Sequence, residues 1–176
     1  MWKKGRDDDI VYKEIDLYHA IIESGCRMNI REVNENDIEA IGTIYVKAFG
    51  HSEGFMKYCK RFGEYVNFCV RQNYAFIIEN EIEICGVVLG YEKPDLFDGR
   101  NVYIELLAVL PEYQCKGYGK ALVAAIEETA ISKGIKEVTL RTACYMDAFH
   151  IYNHWGFKDT RDDQRYMVRR IKKDEN

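Results

Sequence analysis

Apolar residues along this chain change their spacing several times, and each change marks an element. Val11, Ile15, Tyr18 and Ile22 recur at helical spacing and Ser24-Gly25 stops the run, so residues 1–27 are expected to form an amphipathic helical extension. Its stripe should pack on the domain that follows; the sharper alternative is a homodimer contact. The acidic run at 7–9 reads as a solvated start to that helix. Residues 28–33 read as a strand, and Asn36-Asp37 offers an N-cap for a helix through Ile38, Ile41, Tyr45 and Ala48. Gly50 breaks it, and a second helical pattern over 55–71 runs through Tyr58, Phe62, Tyr65, Phe68 and Cys69.

The spacing then shortens to that of strands. Residues 74–79 and 82–91 are apolar and β-branched, and Asn80-Glu81 between them suits a tight antiparallel hairpin. A loop is expected over 94–99 and a central strand over 101–109. Next comes a helix whose Ala121, Leu122, Ala125, Ile126, Thr129 and Ala130 form one apolar stripe, closed by Lys133-Gly134. A parallel strand over 138–142, a short helix capped by Asp147 and ended by Gly156, and last strands at Phe157 and 165–171 complete a mixed α/β sheet.

Between the central strand and its helix an apolar run ends in a glycine-bearing loop. Gly117 and Gly119 remove the Cβ atoms that would hold a ligand off the main chain, so successive N–H groups can converge on an anion. The helix N-terminus favours a pyrophosphate there, and Lys116 and Lys120 add mobile positive charge. A dinucleotide fingerprint fails because its third glycine would stand at Leu122. A triphosphate loop fails because Ala121 follows Gly119-Lys120 and Gln114 holds the first glycine's place.

Composition narrows the classes. With 176 residues, 47% of them hydrophobic, a single globular domain over 28–173 is expected behind the extension. No apolar run is long enough for a bilayer and the first residues lack a signal peptide's apolar core, which points to a cytoplasmic protein without a membrane partner. Cys26, Cys59, Cys69, Cys85, Cys115 and Cys144 are scattered without a Cys-x-x-Cys pair, as suits reduced thiols and no metal site. His150 and His154 lie one helical turn apart but lack a third ligand, and read as surface residues. A net charge of −4 argues against a nucleic-acid groove and favours a cationic acceptor over an anionic one.

The pattern that remains is Gln-x-x-Gly-x-Gly at Gln114, Gly117 and Gly119, preceded by Leu107-Ala108-Val109-Leu110-Pro111-Glu112-Tyr113. It resembles the acetyl-CoA signature of the Gcn5-related N-acetyltransferase (GNAT) family. Ala148-Phe149-His150-Ile151-Tyr152-Asn153-His154-Trp155-Gly156-Phe157 is similar to that family's second signature, although Tyr145 stands where the family often has Asn. The resemblance implies a GNAT-like mixed, mostly antiparallel twisted sheet, splayed around the cofactor site and flanked by helices. It implies acetyl-CoA as acyl donor, held by the backbone of Leu107, Ala108 and Val109 and by the loop residues Gln114, Cys115, Lys116, Gly117, Tyr118, Gly119 and Lys120. A thiolate at Cys115 would be favoured by the helix start and could be redox-sensitive, but an ordinary small residue is the preferred reading there.

Within that resemblance Tyr152 matches the tyrosine that protonates the CoA sulfur; without it, Tyr152 would read as a core aromatic. Glu105 is a charge in an apolar strand, so something must solvate or use it. Its place relative to Gln114 is similar to that of a carboxylate that takes the amine proton in polyamine-type members, directly or through water. Tyr103, two residues earlier, stands where histone-directed members carry their base. The alternative role for Glu105 is an ion pair with Arg100 or Arg141. Tyr45, Phe49, His51, Glu53 and Phe55 fall where an acceptor mouth is expected, with Glu53 able to attract an ammonium group. The activity implied is transfer of an acetyl group from acetyl-CoA to a primary amine, on a small molecule or a protein, by direct attack in a ternary complex. No Cys/His or Ser/His pair suggests a covalent intermediate. A catalytically silent acyl-CoA sensor or interaction module is the alternative.

Overall fold

The computed structural model describes residues 28–52, 54, 56, 59–95 and 99–159. The N-terminal extension with its dimer contact, Glu53, Phe55 and the strand expected over 165–171 lie outside them. The chain divides after Arg141 into two units.

The first unit is a five-stranded sheet in sequential order: β1 (Asn29–Glu32), β2 (Ala75–Glu79), β3 (Ile84–Asp95), β4 (Gly99–Val109) and β5 (Val138–Leu140). Pairing is antiparallel from β1 to β4, and β5 is parallel to β4. The helices of this unit are α1 (Ile38–Ala48), α2 (Phe62–Arg71) and α3 (Tyr118–Ser132). One sheet face, with Ala75, Ile77, Val87, Leu89, Leu106 and Ala108, packs against Ile41 and Ile44 of α1 and Val66 and Cys69 of α2. On the other face α3 buries Leu122 and Ile126 completely. At roughly 1.5–3 kcal/mol for each fully buried aliphatic side chain, these residues fix where the N-terminus of α3 points. Its C-terminal end is tied down as well. Lys133 Nζ sits 4.1 Å from the centroid of the Tyr74 ring and donates to Gln72 O at 3.0 Å, and Gly134 ends the helix at φ 72°.

Several boundaries differ from the sequence expectation. Asp37 does take the N-cap position of α1 but makes no side-chain cap bond to it; the bonded cap lies one turn earlier, at Asn34, ahead of the 3-10 turn Glu35–Asp37. Asn34 Oδ1 accepts from Asn36 N at 2.9 Å, and Asp37 reaches back to accept from Asn34 N at 2.8 Å, a reciprocal box. Helix α2 starts at Phe62, because Cys59 to Arg61 form a turn closed by Phe62 N to Cys59 O at 2.9 Å. Asn80 widens the β2–β3 turn, since its Oδ1 accepts from both Ile82 N and Glu83 N at 2.8 Å. Pro94, placed in a loop by the sequence reading, lies in β3 opposite Arg100 near the end of the ladder, where a missing N–H costs little.

Asp37 is the one charged residue buried among those described, at 5% exposure. Arg31 Nη1 and Nη2 donate to its two oxygens at 2.7 and 2.9 Å, and Arg31 Nε donates to Glu79 at 3.1 Å. These bonds hold the Asp37 carboxyl below the usual carboxylate range. Asp37→Asn is expected to lower stability by about 2 kcal/mol at pH 7. A depressed folded-state pKa contributes above the unfolded value, so the deficit should shrink as pH falls below about 4. Denaturant melts of both proteins at pH 7 and pH 3 check this.

The ladder between β3 and β4 contains the feature that shapes the site. Leu89 pairs with Leu106 and Gly90 with Ile104, so Glu105 has no partner and forms a bulge. Gly90 is needed opposite it: a Cβ there would come within 2.9 Å of Tyr103 O. The extra residue inverts the alternation. Ile104 belongs to the α3 side, whereas Leu106 and Ala108 join the core beneath α1 and α2. Pairing with β5 ends at Ile104 opposite Leu140, while β4 continues to Val109.

The second unit holds α4 (Asp147–His154). Asp147 is its first residue rather than its cap; Met146 occupies the cap position without a side-chain bond, and Asp147 serves the positive helix end. Gly156 ends the helix at φ 98°. Phe157 is described but is not part of a strand.

Candidate active site

β4, the loop after it and the start of α3 are one continuous construction. Beyond Ile104 the edge of β4 that would face β5 is not covered by it, so main-chain groups from Glu105 to Val109 remain available to an extended ligand. Leu107 and Val109 are partly buried and Ala108 is buried at 3%, so these residues offer a ligand their backbone more than their side chains. Gln114 ties the loop to the strand end by donating Nε2 to Val109 O at 3.0 Å.

The loop is built around two left-handed residues, Cys115 at φ 58° and Gly117 at φ 85°. Alternation of left- and right-handed residues turns successive amides to one side, the geometry of an anion nest. Gly117 is the N-cap of α3, and the first helical bond runs from Ala121 N to Gly117 O at 3.0 Å. The amides ahead of it point out of the helix end. Gly119 falls inside the first turn, where the small side reads as close approach rather than unusual φ. Cys115 is exposed, and Lys116 Nζ lies 5.3 Å from the centroid of the Tyr113 ring.

Sequence reasoning missed what braces this loop. Tyr113 stacks on Tyr118 with centroids 5.7 Å apart, accepts a bond from Asn80 Nδ2 and donates one to Glu83 Oε1, both at 3.1 Å. The β2–β3 turn therefore props the glycine loop from outside. Only an aromatic residue four places after the strand hinted at it. Gly117→Val would force a β-branched residue into φ 85°, at roughly 1–2 kcal/mol, and would block the nest. Calorimetry is expected to show CoA binding weakened by at least about tenfold.

Glu105 is exposed on the bulge. Among the described residues it makes no ion pair or hydrogen bond: Arg100, one partner considered for it, donates instead to Glu92 Oε1 at 2.9 Å and to Lys133 O at 3.2 Å. The groups that feel the Glu105 charge are the phenols of Tyr65, Tyr91 and Tyr103 and the Cys69 thiol. Burial is the main cause that raises all four, with the Glu105 charge adding to it, and the thiol is pushed up to about 11. Of these tyrosines the sequence set only Tyr103 beside Glu105; Tyr65 and Tyr91 come from α2 and β3 and were not anticipated. Of the acceptor-mouth candidates, Tyr45 lies 5.0 Å from Phe49 and 5.5 Å from His51, centroid to centroid, so these three do gather.

In the second unit Tyr152 is partly buried on α4, edge-on to Trp155 at 5.7 Å and to Phe157 at 5.8 Å. Burial raises its pKa, so it remains a proton-bearing phenol at neutral pH. His150 and His154 are exposed. Among the described residues no cluster of three or more His, Cys, Asp or Glu is placed to hold a metal, and no helix is long and apolar enough to cross a membrane.

Residues 38–157 match the model of the Acetyltransferase (GNAT) family. The thialysine N-epsilon-acetyltransferase of Mus musculus is 27% identical over 85 residues, 48% of this chain and 50% of that protein. The chain spans about half the length of the curated relatives it matches. An aminoglycoside acetyltransferase from an uncultured soil metagenomic sample superposes with a TM-score of 0.65 at 19% identity, covering 83% of this chain and 99% of that one. A predicted acetyltransferase from Clostridium acetobutylicum, solved with acetyl-CoA, gives 0.65 at 20% identity over 81% and 96% of the two chains. At such identities the structural likeness is one of fold.

Proposed function

This chain belongs to the GNAT acetyltransferase family, and from that membership we propose that it transfers an acetyl group from acetyl-CoA to a primary amine by direct attack in a ternary complex. The observation that carries the reading is the sequence of an uncovered β4 edge, a left-handed glycine turn and a helix N-terminus, with an unpaired carboxylate on the bulge at the edge's start. That order suits a thioester of CoA. The strand edge would take the pantetheine amides, and the amides from Lys116 to Lys120 the pyrophosphate. Two named activities among the similar proteins, on thialysine and on aminoglycosides, both place the acetyl group on an amine, which supports the acceptor class.

The chemistry assigned to the residues is balanced. The amine nitrogen bonds to the thioester carbonyl carbon as its proton passes to Glu105, directly or through water. The C–S bond then breaks with its electron pair on sulfur, and Tyr152 supplies the proton that makes the thiol. A phenol kept protonated by burial fits that task. Glu53, outside the described residues, is retained as a proposed ammonium contact.

The test is CoA release by the purified protein from acetyl-CoA against a panel of primary amines, with calorimetric CoA binding on the same sample. Amine-dependent turnover is the expected result. Tight CoA binding without turnover on any amine would favour a silent acyl-CoA-binding module, and no binding would remove the loop assignment.

A further inference from the structure

Four rings run side by side next to Glu105. Tyr65 and Phe68, three residues apart on α2, have centroids 6.1 Å apart; Phe68 meets Tyr91 edge-on at 5.5 Å; Tyr91 meets its cross-strand partner Tyr103 at 5.6 Å. All four are partly exposed. The bulge brings Glu105 to this same side of the sheet, since its charge is felt by three of the rings and by Cys69 of the α2-side core. Glu105 is the one carboxylate named among those influences on all three tyrosines. In addition, Tyr65 Oη is closed off from solvent with no partner of hydrogen-bond geometry, although it lies beside the Cys69 thiol. Arg141 also acts on Tyr103, but among the described residues Glu105 itself makes no ion pair, and an unpaired anion flanked by electron-rich ring faces is a site for an organic cation.

We infer that Tyr65, Phe68, Tyr91 and Tyr103, together with Glu105, form the wall that receives the acceptor, and that this wall selects a linear alkylammonium over a polyhydroxylated amine. The fate of the bound amine rests on the transferase reading above; its binding does not. Ring faces attract the ammonium and its flanking methylenes, whereas hydroxyl groups laid on them lose water without gaining a partner. A sugar amine needs several polar partners around its ring, and this face offers one exposed carboxylate and, at its edges, the phenols of Tyr91 and Tyr103, the hydroxyl of Tyr65 being closed off from solvent. Lys93 Nζ, 6.0 Å from the Tyr103 centroid, is at the outer limit of a cation–π contact and marks the ring as already attractive to a cation.

The test is an NMR titration of the tyrosine ring signals with 1,5-diaminopentane and with glucosamine, with and without saturating CoA. Wild-type protein is expected to bind the diamine at least about tenfold more tightly than glucosamine; Tyr91→Leu and Tyr103→Leu should each weaken the diamine by about threefold to tenfold, and the Phe variants by less than about twofold. If a leucine variant does not fold by thermal melting, fluorinated phenylalanine at Tyr103 replaces it, keeping the ring's shape while draining negative charge from its face. Diamine binding that the leucine or fluorinated variants leave unchanged, a preference for glucosamine, or no amine binding at all overturns the wall. Binding of the diamine without turnover keeps the wall and removes the transferase reading. Preferential turnover of glucosamine keeps the transferase and removes the wall.

Discussion

Tyr152→Phe is expected to lower kcat by about 10²-fold while leaving CoA affinity within about twofold. The substitution removes one hydroxyl and keeps the ring that packs against Trp155 and Phe157, so α4 should be undisturbed. What disappears is a proton for the departing thiolate. Because burial raises the Tyr152 pKa above its ordinary value, the wild-type hydroxyl stays protonated, and kcat should hold, through the neutral and mildly alkaline range. Pre-steady-state CoA release separates the chemical step from product release. A kcat equal to wild type at every pH would take the acid role away from Tyr152.

Glu105→Gln should cost about 10²-fold in kcat/KM for the amine and change the pH dependence of that ratio, with the KM for acetyl-CoA little altered. The side chain is exposed and has no ion pair or hydrogen bond among the described residues, so its loss should not move the melting temperature. That combination distinguishes a base from a structural ion-pair partner, whose removal would shift the melt and spare the pH profile. An unmoved profile would assign the base elsewhere.

The order of the strands, the helix after β4 and the glycine turn were legible because each has a local cause. Period-two apolar runs made β2, β3 and β4; the stripe from Ala121 to Ala130 made α3; Gly117 and Gly134 sit at left-handed positions that only glycine adopts easily. The misplaced features depend on partners distant in sequence. The cap at Asn34 is strengthened by Arg31 and Glu79, the second a residue of another strand. Tyr113 braces the glycine loop through Asn80 and Glu83, about thirty residues upstream, with nothing local to mark it. At the site, Gln114 to Lys120 could be read from spacing, because a backbone nest is written in contiguous residues. Around Glu105 only Tyr103 could be placed, by its two-residue spacing; Tyr65 and Tyr91 belong to other elements, and Tyr65 read only as part of a helical stripe. Glu105 itself attracted notice as a charge in an apolar strand; the family resemblance implied a bulged central strand near Leu107 and Val109, but no local signal put the extra residue at Glu105 or the reversal of faces at Leu106.

That bulge separates catalysis from architecture. The β3 ladder passes over Glu105, going from Leu89 opposite Leu106 to Gly90 opposite Ile104. Deleting the codon for Glu105 would join Ile104 to Leu106 in a regular strand and leave every other side chain of β4 on the face it already occupies. The sheet would keep its pairing of partners, the glycine turn would stay at its end, and only the carboxylate proposed as the base would be lost. On the proposed chemistry, an enzyme and a non-catalytic binder of the same ligand would then lie a single in-frame triplet apart.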